Sequence, residues 1–118
     1  PVVRRRAAEA LGAIGRLAAG SVPELTRLLD DPVRHVRASA ARALGMMGAT
    51  DDSTIDALAG CLADPHLNVR VAAAEAVGKI GLTTPQVKSP LELLLNDSLL
   101  DARKSAREAL DRLAEKSQ

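Results

Sequence analysis

The sequence predicts an all-α fold, a right-handed α-α superhelix (α-solenoid) of about three and a half helical hairpins of 33 residues each. Three observations lead to this prediction. Alanine and leucine, which favour helices, occupy 40 of the 118 positions. Phe, Tyr and Trp are absent, and a compact all-β domain would need aromatic and β-branched residues in its core. The third observation is an internal repeat, in which apolar and charged residues return every 33 positions.

The repeat divides the chain into units that align without a gap. Residues 3–15, 36–48 and 69–81 match one another, and residues 102–114 form a weaker fourth copy. We therefore predict a single domain whose first unit is cut inside its first helix, so that Pro1 begins a fragment of a longer protein. The predicted units are about 1–30, 31–63, 64–96 and 97–118.

The first helix of each unit is predicted from the spacing of its apolar residues. Asp-Pro at 31–32 and at 64–65 predicts the helix start, with the carboxylate as N-cap and proline in the first helical position. Gly48 and Gly81 predict the end, because glycine adopts the left-handed cap conformation without steric cost. The helix is about 16 residues long, or roughly 24 Å. In the second unit its apolar stripe is Val36, Ala40, Ala43, Leu44 and Met47.

A shorter second helix is predicted in each unit, at about 22–29, 54–63 and 90–95. Ser21 with Glu24 and Ser89 with Glu92 have the spacing of capping boxes. The prolines of the third unit predict a longer loop across 82–89. A pair of helices cannot bury its apolar stripe alone, so the units must stack on one another.

The pattern Asp-Pro-x-x-x-Val-Arg-x-x-Ala-Ala-x-Ala-Leu-Gly-x-x-Gly resembles the HEAT-like repeat. It is carried by residues 31–48 and, with Val77 in the leucine position, by residues 64–81. It is most similar to the short bacterial and archaeal form that also occurs in phycobilisome lyases. The resemblance implies a stack of paired helices that offers interaction surfaces, with the second helices lining a concave face. The last unit departs from the pattern, because Ser98 replaces the proline and Asp111 and Ala114 replace the two glycines.

The resemblance and the period together place a candidate binding surface on the outward side of the second helices. Small residues there would allow a partner helix to approach closely, beside an exposed Leu93. The alternative is that alanine is simply a good helix former on an unused face. We expect a non-enzymatic protein–protein interaction scaffold without a cofactor. The candidate partner-binding residues are Arg27, Asp56, Ala59, Gly60, Ala63, Glu92 and Leu93.

Charged residues recur with the same period. We expect a structural ladder in which each Asp caps a first helix and accepts a hydrogen bond from an Arg of an adjacent unit. The alternative is an arginine track for phosphate or an acidic substrate. The residues concerned are Asp31, Arg37, Asp64, Arg70, Asp97 and Arg103.

Two other functions remain open from the sequence, in addition to a role as a spacer between the functional domains of a longer protein. A phycobilin lyase-type accessory would help to place a tetrapyrrole on a partner protein. Nucleic-acid binding would use the basic N-terminal units, although the net charge of +1 and the lack of aromatic residues for base stacking argue against it. The basic residues are Arg4, Arg5, Arg6, Arg16, Arg34 and Arg42.

The sequence shows no catalytic or metal-binding constellation. His35 and His66 do not recur with the period, and no metal-ligand spacing surrounds them. Deoxyhypusine hydroxylase, which is similar around the Val-Arg segment, binds iron through a His-Glu pair that this chain lacks. Cys61 takes a leucine position and is predicted to be a small buried residue. A single cysteine fits a reducing compartment, so we expect a cytoplasmic protein.

Overall fold

The computed structural model describes residues 22–116, which contain only helices and turns. The predicted first helix of the chain and the Ser21 cap lie outside the described residues. The elements are α1 (Val22–Leu28), α2 (Arg34–Met47), α3 (Asp52–Cys61), α4 (Leu67–Ile80), α5 (Pro85–Leu93) with a following 3-10 turn (Leu94–Asn96), and α6 (Leu100–Lys116).

The helices form two layers that follow chain order. The long helices pack side by side, α2 against α4 and α4 against α6, and the short helices α1, α3 and α5 form the second layer. In the described part of the chain, α1, α3 and α5 with its following turn each pack against the long helix that comes next. The predicted fold class, an α-solenoid, is confirmed.

The long helices begin later than predicted. Asp31 Oδ1 accepts the backbone N–H of Val33 at 2.9 Å, and Asp64 Oδ1 accepts that of His66 at 2.9 Å. These bonds close a turn two residues long before the helix. The N-cap positions are therefore Val33 and His66, not the aspartates, and α2 and α4 each have 14 residues.

The predicted helix ends are correct. Gly48 closes α2 with φ of 67° and Gly81 closes α4 with φ of 81°, both in the left-handed region. The N–H of Gly48 bonds back to the carbonyl of Gly45, and that of Gly81 to Val77. These bonds satisfy carbonyl groups that the last turn of a helix leaves without a partner.

The long-helix layer packs tightly because its contact residues are small. Alanines of α2 and α4 are almost completely buried, and Gly45 of α2 faces Ala76 of α4. A β-carbon added to Gly45 would lie 2.8 Å from the Cα of Ala76, and one added to Gly78 would lie 3.2 Å from the Cα of Ala109. The alanine-rich composition thus serves close stacking as well as helix formation.

The predicted position of the third short helix is wrong. A loop across 82–89 is expected, but α5 begins at Pro85 and runs to Leu93. Thr84 has the extended conformation of an N-cap residue, and Pro85 takes the first helical position, where its missing N–H costs nothing.

Burial of apolar side chains stabilises α5 although a proline lies inside the helix. Pro90 lies inside α5 and cannot donate a backbone hydrogen bond. Val87 and Leu91, one turn apart, are nevertheless fully buried. Ser89 consequently lies in the interior of the helix and does not cap it, so the predicted Ser89–Glu92 capping box is also wrong.

The short helices α1 and α3 contact each other through a partly buried pair of threonines. Thr54 of α3 is fully buried, and its Oγ1 lies 2.8 Å from Oγ1 of Thr26 in α1. Thr26 Oγ1 also lies 2.8 Å from the carbonyl oxygen of Val22. Across residues 22–116, none of the helices has the length and apolar character that crossing a membrane requires.

Candidate interaction surface

The aspartates and arginines of the repeat meet at the turns that lead into the long helices. Arg37, near the start of α2, donates from Nε to Asp64 Oδ2 at 2.8 Å and from Nη2 to Asp64 Oδ1 at 3.1 Å. Its Nη1 donates to the backbone carbonyl of Asp31 at 2.7 Å. Both side chains are mostly buried, so this forked ion pair joins one repeat to the next.

The same arrangement returns one repeat later. Arg70 Nε lies 2.9 Å from Asp97 Oδ2, an ion pair without the alignment of a hydrogen bond, and Nη2 donates to Asp97 Oδ1 at 3.3 Å. Arg70 Nη1 donates to the carbonyl of Asp64 at 2.9 Å, and Arg103 Nη1 to that of Asp97 at 2.7 Å. The structure thus brings together Asp31, Arg37, Asp64, Arg70, Asp97 and Arg103.

The hydrogen bond with Asp64 raises the pKa of the Arg37 guanidinium, although desolvation acts in the opposite direction. Its donors point at Asp64 and at the backbone of Asp31. An arginine track that binds phosphate would have to break these internal bonds first. The geometry therefore favours a structural role for these arginines, in which they join one repeat to the next.

The predicted partner-binding residues lie on the short helices or just after them. Six of the seven residues are exposed, and Leu93 is the most exposed large apolar residue described, at 73%. Ala59 differs, because it is half-buried and packs against the core. The exposed six are Arg27, Asp56, Gly60, Ala63, Glu92 and Leu93.

Two open grooves lie between consecutive short helices, at the turns that carry the Asp–Arg pairs. The first groove contains Arg37, Gly60 and Asp64 and has a volume of about 570 Å³. The second groove contains Arg70, Leu93 and Asp97 and has a volume of about 430 Å³. Each residue that lines the second groove lies 33 positions after a residue that lines the first groove. They are equivalent sites of successive repeats.

The two grooves share half of their lining and differ in the other half. Five pairs of equivalent residues are identical, for example Arg37 and Arg70. The pairs that differ are Asp30 and Ala63, Ala57 and Pro90, Gly60 and Leu93, Cys61 and Leu94, and Pro65 and Ser98.

Sequence reasoning found Gly60, Ala63 and Leu93 but not the grooves themselves. Each groove joins the C-terminal end of a short helix to a turn of the neighbouring repeat, and only stacking brings these segments together. The shared period of the Asp-Pro turns and of the short helices is the signal that could have pointed to them.

Comparison with known proteins agrees with this architecture. The family model for HEAT repeats matches residues 1–66 and 47–111, which together cover most of the chain. The chain belongs to the HEAT repeat family. The match is to HEAT repeats in general and does not single out the phycobilisome lyase form. Comparison with the curated proteins gave no match.

A solved structure similar to these HEAT repeats is a designed armadillo repeat protein in complex with the peptide (KR)4. The TM-score is 0.65 at 22% sequence identity, and the alignment covers 82% of this chain and 48% of the designed chain. The alignment thus spans about half of the designed protein. At this identity the likeness shows the fold alone.

Cys61 of the second HEAT repeat is a core residue, as predicted. Its side chain is buried, and Sγ lies 3.7 Å from the carbonyl oxygen of Leu29. Burial raises the pKa of the thiol to about 11, with a further contribution from the charge of Asp64. The thiol is protonated and packed at neutral pH.

The remaining candidates of the HEAT repeats do not converge on a site. His35 is exposed and His66 is half-buried, and residues 22–116 contain no group of three or more His, Cys, Asp or Glu that could hold a metal ion. Arg34 and Arg42 are exposed on α2. The other basic residues, Arg4, Arg5, Arg6 and Arg16, lie outside the described residues.

Proposed function

We propose that this chain is a non-enzymatic protein-interaction scaffold, and that a protein partner docks on the outward surface of its short helices, the concave face of the solenoid. The observation that carries the proposal is the exposure of equivalent positions on successive short helices. Arg27, Gly60 and Leu93 occupy the same position in three repeats, and all three are exposed. A surface that repeats in this way presents a partner with a row of contacts along the stack.

Leu93 gives this surface an apolar contact. A leucine side chain with 73% of its area exposed stabilises a complex when a partner covers it, because apolar surface is removed from water. The neighbouring exposed Glu92 is charged. An apolar contact with charged residues around it is the usual composition of a protein-binding surface.

Contacts between the repeats support a preformed arrangement of this row. The Arg37–Asp64 and Arg70–Asp97 pairs join successive repeats, and Gly45 and Gly78 allow the long helices to pack closely. A preformed surface loses little conformational entropy on binding. The designed armadillo repeat protein, which has the same kind of helical stack, is in complex with a peptide, and this supports a polypeptide as the partner.

The test is to identify the partner and then to map the surface that it contacts. The chain is used to capture proteins from an extract of its source, the retained protein is identified by mass spectrometry, and its purified form is titrated against variants. Ala63→Arg places a large charged side chain on the proposed surface. Ala114→Arg is the matched control, since Ala114 is exposed on the long-helix layer.

We expect Ala63→Arg to weaken binding at least tenfold and Ala114→Arg to leave it unchanged, with equal helical content by circular dichroism. Equal affinity of both variants for the identified partner, or loss only in Ala114→Arg, would show that the partner binds elsewhere.

A further inference from the structure

We propose that the start of α6 is a second contact site, where the guanidinium of Arg103 binds a carboxylate of a protein partner and Leu99 and Leu100 cover apolar residues beside that carboxylate. This goes beyond the proposed function, because it concerns the last long helix and not the surface of the short helices. It is carried by the open guanidinium of Arg103 and by the carboxylates that the two equivalent arginines bind.

Arg103 follows Arg37 and Arg70 in the 33-residue series, and all three arginines share one contact. Each donates from Nη1 to the backbone carbonyl of the residue six positions earlier, at 2.7 Å for Arg37, 2.9 Å for Arg70 and 2.7 Å for Arg103. This bond holds the guanidinium at the turn before its helix and leaves Nε and Nη2 for another partner. For the first two arginines, that partner is the carboxylate of an aspartate in the next repeat.

The guanidinium of Arg103 has no such carboxylate in the part of the chain that the structure describes. Among residues 22–116, its side-chain hydrogen bond to the carbonyl of Asp97 is its one polar side-chain contact. The residue is half-buried, and both Nε and Nη2 are accessible to water. A guanidinium presents its N–H donors in a planar fork that matches the two oxygens of a carboxylate. Arg103 is therefore an oriented and accessible receptor for a carboxylate.

The outer face of α6 differs from the equivalent face of α4. Ala74 and Gly78 of α4 lie at the contact with α6, where Ala74 is completely buried and a β-carbon on Gly78 would lie 3.2 Å from a Cα of α6. Arg107 and Asp111 take these positions in α6, and both are exposed. A helix could not pack against these charged side chains as closely as α6 packs against α4. The open guanidinium therefore suits a partner that contacts the start of α6 and not its whole length.

Two exposed leucines lie beside this guanidinium. Leu99 and Leu100 are 44% and 59% exposed, and the carbonyl of Leu99 accepts the backbone N–H of Arg103 at 3.3 Å. Leu100 precedes Arg103 by three residues in α6, a spacing at which two side chains are neighbours on a helix surface. The equivalent residue of α4, Leu67, is half-buried against the core. A partner that covers the two leucines removes apolar surface from water.

The combination of these features favours a polypeptide over a nucleic acid. Apolar side chains next to a carboxylate are available in a protein segment that carries Asp or Glu. A nucleic acid would bring phosphates to the guanidinium, but it would leave the two leucines without aliphatic contacts. The arginines of the two earlier repeats also bind carboxylates.

The experiment uses the whole chain, isotope-labelled for NMR, and a synthetic peptide with the sequence of residues 62–67, blocked at both ends. This segment contains the aspartate that Arg37 binds, with a leucine at each end. One comparison peptide has Asn in place of Asp, and another has Ser in place of both leucines. Titration at low salt follows the Nε–H signal of Arg103. We expect the reference peptide to shift this signal and to bind at least fivefold more tightly than either comparison peptide.

Two variants with the same change of charge provide a second readout, followed by the backbone amide signals of α6. Arg103→Gln removes the proposed receptor, and Arg42→Gln removes an arginine that is exposed on α2. We expect the first variant to lose the preference for Asp over Asn and the second to keep it. Leu100→Ala should weaken binding of the reference peptide at least threefold and preserve the preference for Asp. Circular dichroism verifies that all three variants remain folded.

An unshifted Nε–H signal of Arg103 in the unchanged chain, or equal affinity for the Asp and Asn peptides, would overturn the proposal. An equal loss of affinity in Arg103→Gln and Arg42→Gln would show that overall charge, and not the fork of Arg103, attracts the peptide. A single-stranded oligothymidylate serves as a further probe. If it binds at Arg103 more tightly than the reference peptide, the site is one for phosphate and the assignment to a protein partner is wrong.

Discussion

Gly45 of α2 and Ala76 of α4 approach each other so closely that a β-carbon on the glycine would lie 2.8 Å from the Cα of the alanine. This contact sets how near two consecutive long helices can come. The equivalent approach of Gly78 to Ala109, at 3.2 Å, repeats it at the next interface. Small residues at these points therefore decide how closely α2, α4 and α6 stack.

We expect Gly45→Ala to destabilise the protein by about 1–3 kcal/mol, because the added methyl group forces the two helices apart. Gly60→Ala is the matched control. Gly60 also lies in a helix, but an added β-carbon there meets nothing within 4 Å. Alanine should therefore stabilise the protein by about 0.5–1 kcal/mol at this site. Urea unfolding measures both values, and equal effects of the two substitutions would contradict the packing argument.

The Asp–Arg ladder should contribute to stability at each repeat interface. Asp64→Ala removes two side-chain acceptors from Arg37 and the acceptor of the His66 N–H. We expect a loss of about 2–4 kcal/mol in the free energy of unfolding, because a mostly buried guanidinium is left without its counter-charge.

Asp56→Ala serves as the control for the ladder, since Asp56 is exposed on α3. Its effect should stay within about 0.5 kcal/mol. A loss at Asp64 that is no larger than that at Asp56 would show that the ladder does not stabilise the stack.

Stability should fall at alkaline pH because of Cys61. Its pKa is raised from 9.0 to about 11 in the folded protein, so the folded state favours the neutral thiol. The contribution is fully present below pH 9 and is lost as the pH rises through 11, by up to about 2–3 kcal/mol. Thermal unfolding between pH 8 and pH 11 measures it, with Cys61→Ala as the reference. If the variant loses stability as steeply as the unchanged protein, Cys61 is not the cause.

Alanine substitutions at the two prolines of α5 should have different effects on the stability of the protein. Pro90 lies inside the helix, and Pro85 at its first turn. Pro90→Ala restores a backbone N–H to the helix and should raise the free energy of unfolding by about 1 kcal/mol or more. Pro85→Ala should be neutral or slightly destabilising, because proline suits the first helical position. Equilibrium unfolding distinguishes them, and a loss of stability in Pro90→Ala would mean that the ring is required for packing.

Short-range sequence signals predict a helix end correctly where the backbone conformation of a single residue decides it. The left-handed ends at Gly48 and Gly81 follow from glycine itself. The helix starts were predicted two residues too early, because the Asp31 carboxylate binds the N–H of Val33 and holds a turn before the helix. The helix α5 was misplaced because burial of Val87 and Leu91 outweighs the local effect of Pro90.

The candidate surface was predicted only in part. Periodic alignment identified Gly60, Ala63 and Leu93 as outward-facing positions, and they are exposed. The position of Ala59 differed, since its side chain is half-buried against the core. Contact with the core covers part of this residue, and the pattern of its own helix does not predict that contact.

The amino-acid sequence by itself determined that the chain forms helical pairs, that they repeat every 33 residues, and that an Asp and an Arg recur in each. These properties depend on residues near one another along the chain. Only the tertiary structure decided that Arg37 reaches Asp64 rather than another carboxylate, and that two equivalent grooves open beside these pairs. Those contacts join residues far apart in the chain, and their geometry depends on how closely small residues allow one repeat to pack on the next.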